Sequence, residues 1–228
     1  MTTAEKVISE LKKHASEKNK QGMAKFGIET KQALGVSIPV LRDLAKKFRG
    51  SHELAAELWK TKIHEARMLA CFIADPKLTT ELVLEEWVKD FDSWDLCDQC
   101  CSNLFDKTEF AWRKAVEWTS RQEEFVKRSG FVLMAALAVH DKQTSDKKFL
   151  NFFDIIKREA DDDRNYVRKA VNWALRQIGK RSKYLNKEAI KVAGEISRMN
   201  SKTARWIAAD ALRELKSEAV QKRLREKN

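Results

Sequence analysis

The sequence predicts an all-α fold, a right-handed-type solenoid of stacked antiparallel helix pairs. The chain has 228 residues but only 7 Gly and 2 Pro, and 35% of its residues are charged. That composition suits helices joined by short turns and leaves little turn material for a β-protein. No strand-like alternation of apolar and polar residues competes with the helical periodicity.

The N-terminal helices are predicted from their caps and breaks. The first is predicted over residues 3–17, and Asn19-Lys20-Gln21-Gly22 is expected to break it. The next is predicted from Ser37-Ile38-Pro39 to about Phe48, because Ser is a good cap and proline's missing N–H is harmless in the first turn. Ser51 then caps a short helix.

From residue 64 onward the apolar pattern is periodic, and the predicted helices come in pairs with short links such as Asp75-Pro76-Lys77 and Ser182-Lys183. The predicted ranges are about 64–74, 79–90, 93–104, 109–119, 122–139, 146–158, 164–179, 186–198, 202–215 and 217–225.

An arginine recurs near the start of successive helices, each time followed by small and apolar residues. Arg67, Arg128, Arg168 and Arg205 are separated by 61, 40 and 37 residues, and the helix at Trp94 splits the large gap. This spacing approximates the ~40-residue period of HEAT-like repeats, whose second helices line a concave face. No linker interrupts the pattern, so residues 1–228 are predicted to form a single domain.

The positive charge is concentrated in the last third of the chain. The formal net charge is +11, of which residues 1–156 carry +1 and residues 157–228 carry +10. A basic patch confined to one part of a fold indicates a polyanionic partner, and it favours nucleic acid over a merely soluble basic surface.

No membrane segment or export signal is visible. No window approaches 18 uninterrupted apolar residues, and Met1 to Lys20 is polar and charged. We therefore expect a cytoplasmic monomer, nucleoid-associated when bound to DNA, and no contact with a membrane.

The cysteines show no pattern typical of a disulfide framework or a metal site. Cys97, Cys100 and Cys101 are crowded into one predicted helix, Cys71 lies apart, and the four histidines have no ligand spacing. We expect reduced, mostly buried thiols rather than a redox or zinc site.

Two helices carry candidate functional side chains. Phe91 to Cys101 is predicted to be a helix, with Ser93 or Asp92 as its N-cap. Trp94 and Asp98 are four residues apart and therefore share one face, although Asp is a poor helix former in an interior. A core tryptophan beside a solvated aspartate is the alternative interpretation.

The second candidate helix spans Tyr166 to Arg176. Lys169, Trp173 and Arg176 fall on one face at i, i+4 and i+7. Such a basic–aromatic–basic stripe can contact a phosphate backbone or stack on exposed nucleic acid. The alternative is a core Trp173 flanked by surface charges.

Three segments resemble the AlkD-type DNA alkylation-repair glycosylases, which are built from HEAT-like repeats. They are Ser93-Trp94-Asp95-Leu96-Cys97-Asp98, Lys127-Arg128 and Lys169-Ala-Val-Asn-Trp173-Ala-Leu-Arg176. Met23-Ala-Lys-Phe26 and Leu34-Gly35-Val36 are similar to that family's N-terminal segment, which can carry Tyr where this chain has Phe26. The resemblance covers most of the chain.

The resemblance implies a role for each matching residue. Asp98 would be the catalytic carboxylate, Trp94 and Trp173 its aromatic walls, and Arg128 a DNA-binding residue beside the site. We expect these four to converge on one concave surface. The candidate DNA-binding residues are Arg128, Lys169, Trp173, Arg176, Lys127 and Arg205.

One carboxylate is chemically sufficient for one class of glycosidic cleavage. Most glycosidases need a second carboxylic acid to protonate the leaving group. A purine alkylated at N3 or N7 is already positively charged, so it leaves without an acid, and one carboxylate stabilises the sugar cation. No metal site, glycine-rich nucleotide loop or paired histidine is visible, so no cofactor is expected.

The sequence therefore predicts a monofunctional DNA N-glycosylase that excises cationic N3- or N7-alkylated purines from double-stranded DNA in base-excision repair. The alternative is a non-catalytic HEAT-type module that binds nucleic acid or a protein partner through its concave face.

Overall fold

The structure, a computed structural model, describes residues 3–226. In that range it contains fourteen α-helices, two short 3-10 helices and no strand, which confirms the predicted all-α fold of helix pairs. The chain divides into two compact units, Met1–Glu109 and Phe110–Asn228. The single domain expected from the sequence stays a prediction, and each unit is described by itself.

The first unit is built around one buried helix. Its α-helices are α1 (Thr3–Lys13), α2 (Glu17–Lys25), α3 (Ile38–Lys47), α4 (His52–Lys60), α5 (His64–Ile73), α6 (Glu81–Lys89) and α7 (Trp94–Asn103), followed by a 3-10 turn at Phe105–Lys107. All residues of α5 except Phe72 are buried, and α5 packs against α3, α4 and α7. It is therefore the core of this unit.

The second unit has a similar organisation around α9. Its α-helices are α8 (Ala111–Glu117), α9 (Glu124–His140), α10 (Asp146–Arg158), α11 (Asn165–Gly179), α12 (Lys183–Ile196), α13 (Lys202–Leu215) and α14 (Glu218–Glu226), with a 3-10 turn at Trp118–Ser120. α9 packs against α8 and α11, and α11 packs against α12 and α13. Successive helices form the pairs expected from the sequence, namely α8 with α9, α10 with α11, and α12 with α13.

Two helix boundaries differ from the sequence-based expectation because serine caps decide them. The predicted helix over residues 3–17 is wrong: α1 ends at Lys13, and α2 runs straight through the expected break. The Ser16 side chain caps α2 by accepting from the Asn19 N–H, which outweighs the ~1 kcal/mol cost of Gly22 in a helix. Ser182 likewise starts α12 earlier than predicted by accepting from the Leu185 N–H.

Polar contacts between successive helix pairs recur at fixed sequence offsets. In the first unit the offset is 31 residues, in the contacts Trp59–Asp90, His64–Asp95 and Leu34–Glu65. In the second unit it is 38 residues, in Arg128–Tyr166, Asn172–Asp210 and Arg176–Glu214. Stacked repeats of constant length produce such offsets, so the expected ~40-residue period holds in the second unit and is shorter in the first.

The cysteine expectation is wrong for two of the four residues. Cys71 in α5 and Cys100 in α7 form a disulfide, 29 residues apart in sequence. No local pattern in the sequence indicates that α5 packs on α7, which is what brings Cys71 and Cys100 together. Cys97 and Cys101 are buried, as expected. Between residues 3 and 226, no helix is long and apolar enough to cross a membrane, and no group of three His, Cys, Asp or Glu is placed to hold a metal ion.

A buried carboxylate fixes the loop that precedes α3. Glu65 of α5 is 1% exposed. Its Oε1 accepts from the Gly35 N–H at 2.7 Å and the Val36 N–H at 3.3 Å, and its Oε2 accepts from the Leu34 N–H at 2.8 Å. Gly35 has φ +77°, and a Cβ there would lie 2.1 Å from the Ser16 carbonyl oxygen, so this loop requires glycine.

Replacing Glu65 should destabilise the first unit strongly. Glu65→Ala leaves three buried or half-buried N–H groups without their acceptor, at about 1–3 kcal/mol each, so we expect the free energy of unfolding to fall by about 3 kcal/mol or more. The measurement is urea unfolding followed by tryptophan fluorescence. Glu57→Ala, at an exposed position of α4, is the control and should change it by less than about 0.5 kcal/mol. Equal stability of the two variants would contradict the role of Glu65.

Candidate active site and nucleic-acid interface

Helix α7 carries the two candidate residues of the first unit. Trp94 is its first residue and Asp98 lies one turn later, so both occupy one face, and both are half-buried. Ser93 is the N-cap residue, as predicted, but its hydroxyl makes no capping hydrogen bond. That hydroxyl is buried and finds no hydrogen-bond partner within the described part of the chain.

The indole of Trp94 is held by the N-terminal segment. Its Nε1–H donates to the Phe26 carbonyl oxygen at 3.0 Å, across 68 residues of sequence, while the Phe26 side chain is 72% exposed. Both segments belong to those that carried the resemblance, and the structure shows that they touch.

A pocket of about 610 Å³ lies against this indole, within the first unit. Its walls are mostly apolar, and Asp95 and His64 supply polar groups. The remaining lining residues are Lys18, Asn19, Gly22, Met23, Phe26, Ile28, Gly35, Val36, Ser37, Ile38, Glu65, Met68, Trp94 and Gln99. The pocket offers room for a planar ring beside Trp94.

The sequence analysis missed a buried histidine–carboxylate pair in this pocket. His64 is 4% exposed, and its Nε2 lies 2.9 Å from Asp95 Oδ2. Burial by itself lowers the pKa of His64, but the hydrogen bond and the charge of Asp95 outweigh it, and the pKa is raised. The 31-residue offset between α5 and α7 is the signal that could have found this pair.

The 31-residue offset of the first unit aligns Asp98 with Arg67. Arg67 is 31 residues before Asp98, and Arg128 is 30 residues after it. Arg67 is 6% exposed and donates to the Asp90 carboxylate and to backbone carbonyls, which is a structural role. A carboxylate accepts and does not donate, so Asp98 cannot make the contacts that Arg67 makes.

Arg128 and Trp173 lie in the second unit. Arg128 of α9 is 5% exposed, and its Nη1 donates to the Tyr166 carbonyl oxygen of α11 at 2.7 Å. Lys169, Trp173 and Arg176 follow one another along one face of α11, as predicted. Lys169 is exposed and Trp173 is half-buried.

The remaining candidate cations differ in how far neighbouring acids engage them. Arg176 Nη1 lies 2.6 Å from Glu214 Oε2, and Lys127 Nζ lies 2.5 Å from Glu159 Oε2 and 2.9 Å from Asp162 Oδ2. Burial raises the pKa of Asp162, but hydrogen bonds from Arg164 and Lys127 lower it to about 2. Lys127 and Arg176 therefore belong to local ion clusters.

Lys169 and Arg205 are the most accessible of the predicted DNA-binding cations. Arg205 is exposed, and its Nη1 donates to the Met199 carbonyl oxygen at 3.3 Å. The second unit holds 28 Lys and Arg against 16 Asp and Glu, a net charge of +12, whereas the first holds 17 against 18, a net of −1. The division between the units is thus sharper than the division of the sequence into thirds.

The structure groups the predicted site residues in two sets. Trp94 and Asp98 share α7 of the first unit, and Arg128, Trp173 and the other candidate cations belong to the second. Their convergence on one surface stays a prediction.

Helix pairs stacked at constant offsets, without strands in residues 3–226, define a helical-repeat protein of the HEAT-like class. The family model of the DNA alkylation repair enzymes matches residues 7–215. The chain therefore belongs to the DNA alkylation repair enzyme family.

One solved structure supports the fold, and a second comparison is more distant. One, described as a new family of proteins related to the HEAT-like repeat DNA glycosylases with affinity for branched DNA structures, is similar with a TM-score of 0.79 and 22% identity over 98% of this chain and 96% of that chain. A designed armadillo repeat protein in complex with the peptide (KR)4 gives a TM-score of 0.39 and 16% identity over 92% and 97% of the two chains. A search of curated proteins gave no significant match.

The pair of His64 and Asp95 should make stability depend on pH. Because the pKa of folded His64 is raised above its unfolded value of about 6.5, the stabilisation is fully present below that pH and is lost as pH rises through the folded pKa. We expect His64→Gln to lower the free energy of unfolding by about 1 kcal/mol at pH 6 and by less at pH 9.

The measurement is urea unfolding of wild type and variant between pH 5.5 and pH 9. His14→Gln, at an exposed position after α1, is the matched control and should leave the pH profile unchanged. A wild-type profile parallel to that of His64→Gln would show that the pair does not titrate in this range.

Proposed function

We propose that this protein is a DNA glycosylase that excises positively charged N3- and N7-alkylated purines from double-stranded DNA. The observation that carries the proposal is the pair on α7, where a half-buried carboxylate, Asp98, lies one turn from a half-buried indole, Trp94, that borders an open pocket. Membership of the DNA alkylation repair enzyme family supports the substrate class.

The chemistry requires only one carboxylate. As the N-glycosidic bond breaks, its electron pair moves to the purine and neutralises the base's positive charge, so no acid is needed to protonate the leaving group. The sugar becomes an oxocarbenium-like cation, which the Asp98 carboxylate stabilises until water adds at the anomeric carbon and releases a proton to solvent. The face of Trp94 attracts a cationic base or sugar.

The second unit supplies most of the affinity for DNA in this proposal. Its net charge of +12 attracts a polyanion, and Lys169 and Arg205 are exposed and able to reach phosphates. Half-buried Trp173 lies one turn from Lys169, where an aromatic face can contact an exposed base or sugar.

A second candidate function is binding of DNA without excision. The similar solved structure belongs to proteins related to the glycosylases with affinity for branched DNA structures. Under this alternative, neither wild type nor Asp98→Asn excises a base, and four-way or forked DNA binds more tightly than a simple duplex. Assays on alkylated and branched DNA separate the two functions.

Asp98→Asn should abolish excision and leave DNA binding near wild type, or slightly tighter, because a negative charge is removed. The barrier should rise by at least about 2.7 kcal/mol, or about a hundredfold in rate, which is typical of losing one electrostatic stabiliser of a transition state. The measurement is release of 7-methylguanine and 3-methyladenine from methylated duplex DNA. Trp94→Ala should lower excision less.

Two controls sharpen the excision assay. Asp92→Asn removes the same charge from an exposed position before α7 and outside the pocket, and it should retain excision if Asp98 alone stabilises the sugar. Wild type should act poorly on a neutral lesion, because no second acid protonates it. Wild-type excision by Asp98→Asn would end the catalytic assignment and favour the binding function.

Binding of undamaged duplex DNA should depend on exposed cations of the second unit more than on paired ones. Lys169→Glu should weaken binding to all sequences and flatten the slope of log affinity against log salt by about one unit, because each phosphate contact releases counterions. Arg176→Glu should have a smaller effect on DNA but lower stability, since it breaks the contact with Glu214.

Fluorescence anisotropy at 50–200 mM salt measures both effects, with Lys12→Glu on exposed α1 as the control for a general change of charge. An equal loss of affinity in the control would count against a DNA interface centred on the second unit.

A further inference from the structure

A second basic feature lies in the nearly neutral first unit. A groove of about 450 Å³ is lined by four cations and by no acidic residue. Its lining residues are Arg42, Ala45, Lys46, Arg49, Phe72, Asn103 and Lys107. Because the whole unit has a net charge of −1, four cations facing one groove form a local concentration of positive charge.

Helix ends explain two of these cations. Lys46 lies in the last turn of α3 and pairs with Asp43 at 2.7 Å, and Lys107 Nζ donates to the Asn103 carbonyl oxygen at the end of α7 at 2.6 Å. Cations in these places complement the negative end of a helix dipole.

The same explanation does not cover the two arginines. Arg42 lies in the middle of α3, and Arg49 lies beyond its end; both are exposed, and no carboxylate of residues 3–226 comes within ion-pair distance of either. The Arg42 guanidinium lies 5.5 Å from the centre of the Phe72 ring, which orients it without neutralising its charge. The groove therefore holds two guanidinium groups available to an anion.

We propose that this groove binds a phosphate group of the DNA backbone. The planar guanidinium groups of Arg42 and Arg49 bind phosphate oxygens through paired N–H donors, and Lys46 and Lys107 add positive charge. The assignment rests on the proposed function in that DNA is the source of the phosphate.

The position of the groove favours DNA over a free anion. Asn103 is the last residue of α7 and lies one helical turn, about 6 Å along the axis, beyond Gln99, which lines the pocket beside Trp94. That distance is about the rise of two nucleotides along one strand. A phosphate in the groove thus keeps a DNA strand on the unit that carries the proposed catalytic carboxylate.

The test compares binding of a labelled, undamaged duplex by wild type and by the double variant Arg42→Gln/Arg49→Gln, using anisotropy at 50–200 mM salt. One lost phosphate contact should flatten the slope of log affinity against log salt by about 0.9. The ratio of wild-type to variant affinity is then about eightfold larger at 0.1 M salt than at 1 M salt. Arg42→Lys/Arg49→Lys, which retains the charge, should recover part of the affinity.

Lys77→Gln/Lys89→Gln is the matched control. It removes the same charge from exposed positions of the same unit that lie outside the groove, and it should retain the wild-type slope. Equal losses in both double variants would overturn the proposal, because net charge alone would then account for the effect.

Two further measurements separate the remaining explanations. If the arginines only stabilise helix ends, the Arg42→Gln/Arg49→Gln protein melts earlier and binds DNA like wild type, which overturns the proposal. The second measurement is titration with inorganic phosphate. If phosphate binds wild type but not the variant, while both proteins bind DNA equally well, the groove is a site for a free anion. This result also overturns the proposal. Since no arm measures excision, failure here is distinct from failure of the glycosylase assignment.

Discussion

The constant offset between stacked helix pairs is the constraint on which each unit depends. A helix pair cannot bury its apolar face alone, so each pair must present matching side chains to the next at a fixed spacing. Trp59 shows the consequence: it donates its indole N–H at 2.9 Å to the carboxylate of Asp90, 31 residues further along the chain. Glu65 binds the N–H groups of residues 34–36 across a similar spacing in sequence, and these contacts fix the loop from which α3 begins.

The stacking of helix pairs also gives buried arginines a structural task. A buried arginine that stacks one pair on the next donates to carbonyl oxygens of its neighbours, as Arg67 does to Asp90 and Arg128 does to Tyr166. An ionised carboxylate is only an acceptor, so Asp98 cannot replace arginine in that task. Asp98 shares a half-buried face with Trp94, which is compatible with the proposed stabilisation of a sugar cation.

The features that could be predicted from the sequence are those that follow from local patterns along one helix. Trp94 and Asp98 are one turn apart on one helix, and Lys169, Trp173 and Arg176 likewise, so periodicity alone placed them on common faces. Contacts that join distant helices were missed, namely His64 with Asp95 and Cys71 with Cys100, because they depend on the packing of α5 against α7. Net charge summed along the chain also hid the groove at Arg42 and Arg49, since the acidic residues that cancel these charges in the sum do not line the groove.

The two units differ in net charge, and this difference suits a carboxylate that acts on a polyanion. A negative side chain facing DNA is repelled by phosphates, so affinity has to come from elsewhere, and the second unit's net charge of +12 supplies attraction at long range. That attraction is screened beyond about 8 Å at physiological salt, whereas contact between a carboxylate and a sugar cation is short and weakly screened. Under the proposed function, salt should therefore act on how tightly DNA is held, and much less on the chemical step once DNA is in place. Under the proposed function most of the positive charge lies on the second unit and the carboxylate on the first, so the surface charge of the second can vary while α7, held by Phe26 and His64, keeps its side chains in position.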